Sequence, residues 1–124
     1  MNNQNLNAAL NHFEKHKSGH LDDLKDLVRI PSISFPGFDP AAVRKSAEAV
    51  AGFLKKSGLT DVRILETGVG HPAVFGQWTD APGKPTVLLY AHHDVQPTGR
   101  EELWTTPPFE PSERNNRLYG RGTS

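Results

Sequence analysis

Residues 88–97 read LLYAHHDVQP, and within them His92, His93 and Asp94 are the side chains best equipped for chemistry. A neutral imidazole is a common metal ligand, and a carboxylate on its second nitrogen fixes the tautomer and orients the ring. In extended backbone, residues i and i+2 share a face. His92 and Asp94 therefore point together, as a ligand and its orienting carboxylate must, while His93 turns to the other side. An isolated His-x-Asp is more often a hydrogen-bonded strand end than a metal site, because short motifs recur by chance. Its place just past an apolar run, where open α/β sheets put their sites, favours the metal reading.

The other candidates carry blander readings. His93, on the opposite face, is assigned to packing or loop contacts. His12, His16 and His20 recur at i, i+4 and i+8, but no carboxylate joins them in a cavity, and they read as a solvated helix face. His71 lies in a glycine-rich turn and reads as structural. Gly68-Val69-Gly70 and Gly120-Arg121-Gly122-Thr123-Ser124 resemble phosphate loops but lack the lysine and the spacing. Ser124 has no nucleophile-elbow sequence around it. Trp104 and Phe109 read as anchors of a long polar loop rather than pocket walls.

These residues need elements to hold them. Leu6, Leu10 and Phe13, then Leu21, Leu24, Leu27 and Val28, recur at helical spacing, as one long helix or two pieces broken near Ser18-Gly19. Ile30-Pro31 ends that pattern. Asp39 with Pro40 predicts a capped helix start, Val43, Ala47, Val50 and Leu54 its buried stripe, and Gly58 its end. Residues 62–67 and 73–78 read as strands, and 86–91 as a central strand covered on both faces. A short strand is expected at Arg117-Leu118-Tyr119. The order predicts an α/β fold in which helices flank a mixed sheet.

Composition narrows the function. The 124 residues suffice for one domain. Fourteen basic and fourteen acidic residues cancel, with no basic stripe, so nucleic acid and membrane are not expected partners. The absence of cysteine removes disulfides, thiolate metal sites and cysteine nucleophiles, leaving histidine and carboxylate as the metal-ligating types. The N-terminal stretch has no apolar signal core, and no apolar run approaches membrane-spanning length. A cytoplasmic location is the expectation.

YAHHDVQP, the later LWTTPPFEPSERNNRLYGRGTS and the upstream LDDLKDLVRIPSIS together resemble the M20 family of metallopeptidases, in the order that family shows. The VQP ending and the doubled proline look more like its dipeptidase branch, which includes carnosinase-like enzymes, than its deacylase branch. The resemblance implies hydrolysis of dipeptides or short peptides with two divalent metals, zinc first and manganese or cobalt as alternatives. His92 maps onto the first metal ligand, and Asp94 onto the active-site carboxylate that orients it. The resemblance makes residues 1–124 the N-terminal portion of a zinc-peptidase-type catalytic domain. It places a bridging aspartate directly after Ser124, with a glutamate general base, distal ligands and a lid domain, through which members form homodimers, further on. On that reading the chain alone is inactive. The alternatives are an N-acyl amino-acid deacylase of the same family and a truncated, non-catalytic interaction module.

Overall fold

The computed structural model describes residues 3–124; the first two residues of the N-terminal stretch lie outside it. Helix α1 (Asn3–Val28) runs unbroken through Ser18 and Gly19. An interior glycine costs a helix about 1 kcal/mol relative to alanine, too little to break so long a helix. The helix closes where expected, with Arg29 N–H donating to Lys25 O and Ile30 N–H to Leu27 O just before Pro31. Only its last turns pack; residues 3–20 are exposed, including Leu6, Leu10 and Phe13.

Helix α2 (Pro40–Lys56) obeys its local signals. The Asp39 carboxylate accepts from Ala41 N–H at 2.9 Å, Pro40 opens the first turn, and Gly58 follows the end at φ +85°. Val43 and Ala47 are fully buried, Ser46 and Ala51 nearly so, and Val50 and Leu54 are half-buried. Against this face lies an antiparallel hairpin of β1 (Thr60–Leu65) and β2 (Ala73–Gln77), in the register Arg63↔Phe75, Ile64↔Val74 and Leu65↔Ala73. A second hairpin joins β3 (Ser112–Arg114) to β4 (Arg117–Tyr119). Its turn residues Asn115 and Asn116 both take positive φ, 52° and 58°, which suits the two-residue turn that matches strand twist. Lys56 bonds Asp23 at 2.9 Å and joins the helices. Lys25 meets Glu113 at 2.6 Å and ties α1 to β3.

The fold is α/β, but its β structure is divided. Among the described residues each two-stranded sheet pairs only within itself, and the parallel component is a single bridge, Ile33↔Val95. Residues 86–91, expected as a covered central strand, are not in a strand. Val87 is 74% exposed, Leu88 and Leu89 88% each and Tyr90 89%. Apolar, β-prone composition supplies propensity, whereas a strand also needs a neighbour's N–H and C=O groups, which no described segment presents to this one. Contiguous exposed apolar residues on unpaired backbone favour association. Light scattering of the isolated chain is expected to show self-association that rises with concentration and falls in a Leu88→Lys/Tyr90→Lys variant. A monomer at every concentration would contradict this.

The small apolar core consists of Val28, Ile30, Ile33, Val43, Ala47 and Ala51. It lies where the end of α1, the 30–34 segment and α2 meet, and the 92–95 segment is fastened to this junction.

Candidate functional site

The 92–95 segment is held by hydroxyls on two sides. Val95 N–H donates to Ser32 O at 2.9 Å, and the Ile33↔Val95 bridge sets the two segments parallel. The Ser32 and Ser46 hydroxyls reach His93 O at 3.0 and 2.9 Å, and both serines are buried. Two hydroxyls on one carbonyl satisfy a group that would otherwise be costly to desolvate at the core's edge.

His93 points toward this junction. Its Nε2–H donates to Pro72 O at 3.2 Å, and its Nδ1 lies 3.2 Å from Ser46 Oγ. Since a carbonyl only accepts, Pro72 places the proton of the neutral ring on Nε2. The expected packing role for His93 matches this geometry. His71 also proves structural: its Nε2–H donates to Ser34 O at 3.1 Å, so the turn between β1 and β2 braces both segments.

His92 and Asp94 face the other way, together, as alternation requires. His92 Nδ1 lies 2.9 Å from Asp94 O and 3.2 Å from Asp94 Oδ1. Both are acceptors when the carboxylate is ionised, so the proton sits on Nδ1 and leaves the Nε2 lone pair free. The His92 side chain is 73% exposed, which opens that nitrogen to an incoming group. The second carboxylate oxygen, Oδ2, accepts from Ser34 Oγ at 2.5 Å.

The Ser34 hydroxyl is the largest influence holding the Asp94 carboxyl below its ordinary 3.8; its backbone amide and His92 add to this, and partial burial opposes it. A lowered folded pKa gives stability that is complete above the ordinary value and lost as pH falls through the lower folded one. The side chain is 39% exposed, so solvent screens much of the effect. Carbon-13 titration of the metal-free protein is expected to show Asp94 with a midpoint below 3.8, rising in Ser34→Ala. A midpoint at or above that value in the unsubstituted protein would contradict it.

The remaining candidates lie elsewhere. The His12 and His16 rings lie tilted with centroids 4.2 Å apart, and Phe13 stacks on His20, all exposed on α1. Trp104 anchors its loop: Nε1–H donates to Thr98 O at 3.0 Å and the Arg121 guanidinium lies 5.1 Å over the ring. The glycines of the 120–124 run serve close packing, since a Cβ on Gly120 or Gly122 would come within 2.8 Å of Val28 or Val95. Sequence reasoning missed Ser32, Ser34 and Ser46. The Ser-Ile-Ser alternation shows that Ser32 and Ser34 share a face opposite Ile33, but nothing local says what their hydroxyls reach, and Ser46 had no signal at all.

Among the described residues no group of three or more His, Cys, Asp or Glu stands close enough to hold a metal ion. His92, backed by Asp94, fits one ligand position of such a centre.

Residues 88–124 match the profile of peptidase family M20/M25/M40. The chain is 30% identical, over 96% of its length, to the Cys-Gly metallodipeptidase DUG1 of Candida albicans, of which it covers 27%. Over 62% of its length it is 40% identical to the succinyl-diaminopimelate desuccinylase of Paracidovorax citrulli, covering 21% of that protein. The crystal structure of human carnosine dipeptidase 1 superimposes with a TM-score of 0.77 and 27% identity, over 94% of this chain and 27% of that one. The chain thus spans 27% of the first of these relatives and 21% of the second. The His-x-Asp segment lies inside the matched profile, and a likeness to metallodipeptidases runs along nearly the whole chain.

Proposed function

We propose that the whole protein carrying this chain is a metal-dependent dipeptidase, with residues 1–124 as the N-terminal portion of its catalytic domain. The observation that carries the reading is the His92–Asp94 pair: an exposed imidazole whose Nδ1 proton is held by a carboxylate, inside the stretch that matches the family. His92 would supply one nitrogen ligand through Nε2. Asp94 would keep the proton on Nδ1 and raise the ligand's basicity. A divalent metal, zinc in this proposal, supplies Lewis-acid polarisation of the scissile carbonyl when bound. A single ligand cannot complete such a centre, so this chain alone is expected to bind zinc weakly and to hydrolyse nothing. No described helix is long and apolar enough to cross a membrane, and a cytoplasmic setting is part of the proposal.

The substrate class rests on which likeness runs furthest. The metallodipeptidase match covers 96% of the chain, whereas the desuccinylase match is closer in identity but covers 62%. That second match keeps an N-acyl deacylase as the competing reading. The whole protein, supplied with zinc or manganese, is to be assayed side by side on Cys-Gly, carnosine and N-succinyl-diaminopimelate. The proposal expects amino-acid release from a dipeptide. Preference for the succinyl substrate would move the assignment to deacylation. Hydrolysis of none of the three would favour a non-catalytic interaction module.

A further inference from the structure

We infer that Ser34 is a positioning residue for the metal-ligand pair: its hydroxyl fixes the Asp94 carboxylate so that one oxygen stays on His92 Nδ1 and Nε2 remains free for a metal ion. The inference rests on the metallodipeptidase reading and extends it to a residue 58 positions upstream of the ligand.

The two Asp94 oxygens are divided between two partners. Oδ2 takes the Ser34 hydroxyl at 2.5 Å, and Oδ1 faces His92 Nδ1 at 3.2 Å. The terminal torsion of an aspartate is broad and holds no single setting unaided. A partly exposed carboxylate tied at one oxygen only would swing between the imidazole and water. Tied at both, it presents a fixed acceptor to Nδ1, and the imidazole in turn has one tautomer and one ring orientation.

Ser34 is itself well placed to serve as the fixed point. His71 Nε2–H holds its carbonyl at 3.1 Å. The adjoining Ile33 is buried and bridges Val95. Two residues earlier, Ser32 grips the same segment through His93 O and Val95 N–H. The hydroxyl therefore approaches Asp94 from backbone anchored on both sides, whereas the opposite partner, His92, is exposed and, among the described residues, held through Asp94. Rigidity runs in one direction, from the core through Ser34 to Asp94 and then to His92. Support of this kind decides whether a ligand is held in productive geometry.

The test uses the whole protein, freed of metal and titrated with Zn²⁺ against a chromophoric chelator, with nitrogen-15 spectra reporting the His92 tautomer. Ser34→Ala is expected to weaken zinc binding by about 10-fold, the lower end for loss of an outer partner, since Asp94 itself remains. Its unfolding midpoint is expected to fall only slightly, since solvent screens the partly exposed Asp94 carboxylate, and the His92 spectrum is expected to lose its single Nδ1–H form. Ser34→Thr, which keeps the hydroxyl, is expected to restore both. Should Ser34→Ala fail to fold, Ser34→Cys, similar in size with a weak donor, is held to the same expectation. Wild-type zinc affinity in Ser34→Ala, or a threonine variant as weak as alanine, would overturn the inference. His92→Ala, run in parallel, separates the two layers. If it binds zinc normally, the metal reading of His92 fails. If it loses zinc while Ser34→Ala does not, only the role of Ser34 falls.

Discussion

Replacing His92 with alanine is expected to abolish zinc-dependent hydrolysis by the whole protein while leaving folding stability within about 0.5 kcal/mol, the usual range for exposed positions. The side chain is 73% exposed and, among the described residues, bonds only to Asp94, so its removal opens no cavity and strands no core group. The expected activity loss exceeds the roughly 10–100-fold that deleting an outer partner costs. Asp94→Asn, which keeps the shape and removes the charge, is expected to fall inside that range. His93→Ala is expected to behave in the opposite way. Its ring bonds Pro72 O and approaches Ser46, and its loss takes the imidazole donor from Pro72 O and removes a partner from the buried Ser46 hydroxyl. The cost is expected to be roughly 1–3 kcal/mol of stability, with zinc affinity affected only through the loosened segment. Zinc titration and denaturant midpoints on both variants check the pair. Equal loss of zinc binding in the two, with equal midpoints, would contradict the division between an outward and an inward face.

That division was legible in the sequence although the strand behind it was not. Alternation needs no ladder: the His92 and Asp94 side chains meet each other while His93 turns to Pro72 and Ser46, although 86–91 forms no strand. Helix α2 was readable for a similar reason: Asp39, Pro40 and Gly58 act within a few residues of themselves, and local rules need no partner. The strand at 86–91 required a neighbour that residue order cannot name. The supports of the site were hidden by distance. Ser34 and Asp94 stand 60 positions apart, Ser46 and His93 47 apart, and a serine carries no local mark of what its hydroxyl will reach. The Asn115-Asn116 turn is a different case. Its two-residue spacing and asparagine content were visible, and the hairpin around it was nonetheless read only as the single strand at 117–119.

Gly122→Ala is expected to be among the most damaging substitutions in the chain, although it adds one methyl group to a residue outside the His-x-Asp motif. Two separate costs meet there. Gly122 has φ +93°, a backbone setting that L side chains rarely adopt, and holding alanine in such a region costs about 1–3 kcal/mol. The new Cβ would also lie 2.8 Å from Val95 Cγ1, closer than real contacts allow. Valine is branched at Cβ and stiff at χ1, so it gives way poorly, and overpacking of this kind costs about 1–3 kcal/mol more. Gly120→Ala is the natural control. Its Cβ would meet Val28 Cγ1 at the same 2.8 Å, but Gly120 is not among the positive-φ glycines, so it carries the packing cost alone. The consequences also differ in where they travel. Val28 ends α1, whereas Val95 follows Asp94 directly and is pinned to Ser32 O at 2.9 Å. Pushing Val95 therefore strains the bond that aligns the 92–95 segment with Ser34, and the Asp94–His92 geometry with it. Denaturant midpoints are expected to fall further for Gly122→Ala than for Gly120→Ala, and zinc affinity of the whole protein to fall for Gly122→Ala alone. Adding Val95→Ala to Gly122→Ala relieves the overlap and leaves the backbone strain, so the double variant is expected to be more stable than the sum of the single losses. Strict additivity of the two substitutions would show that the methyl group and Val95 do not meet.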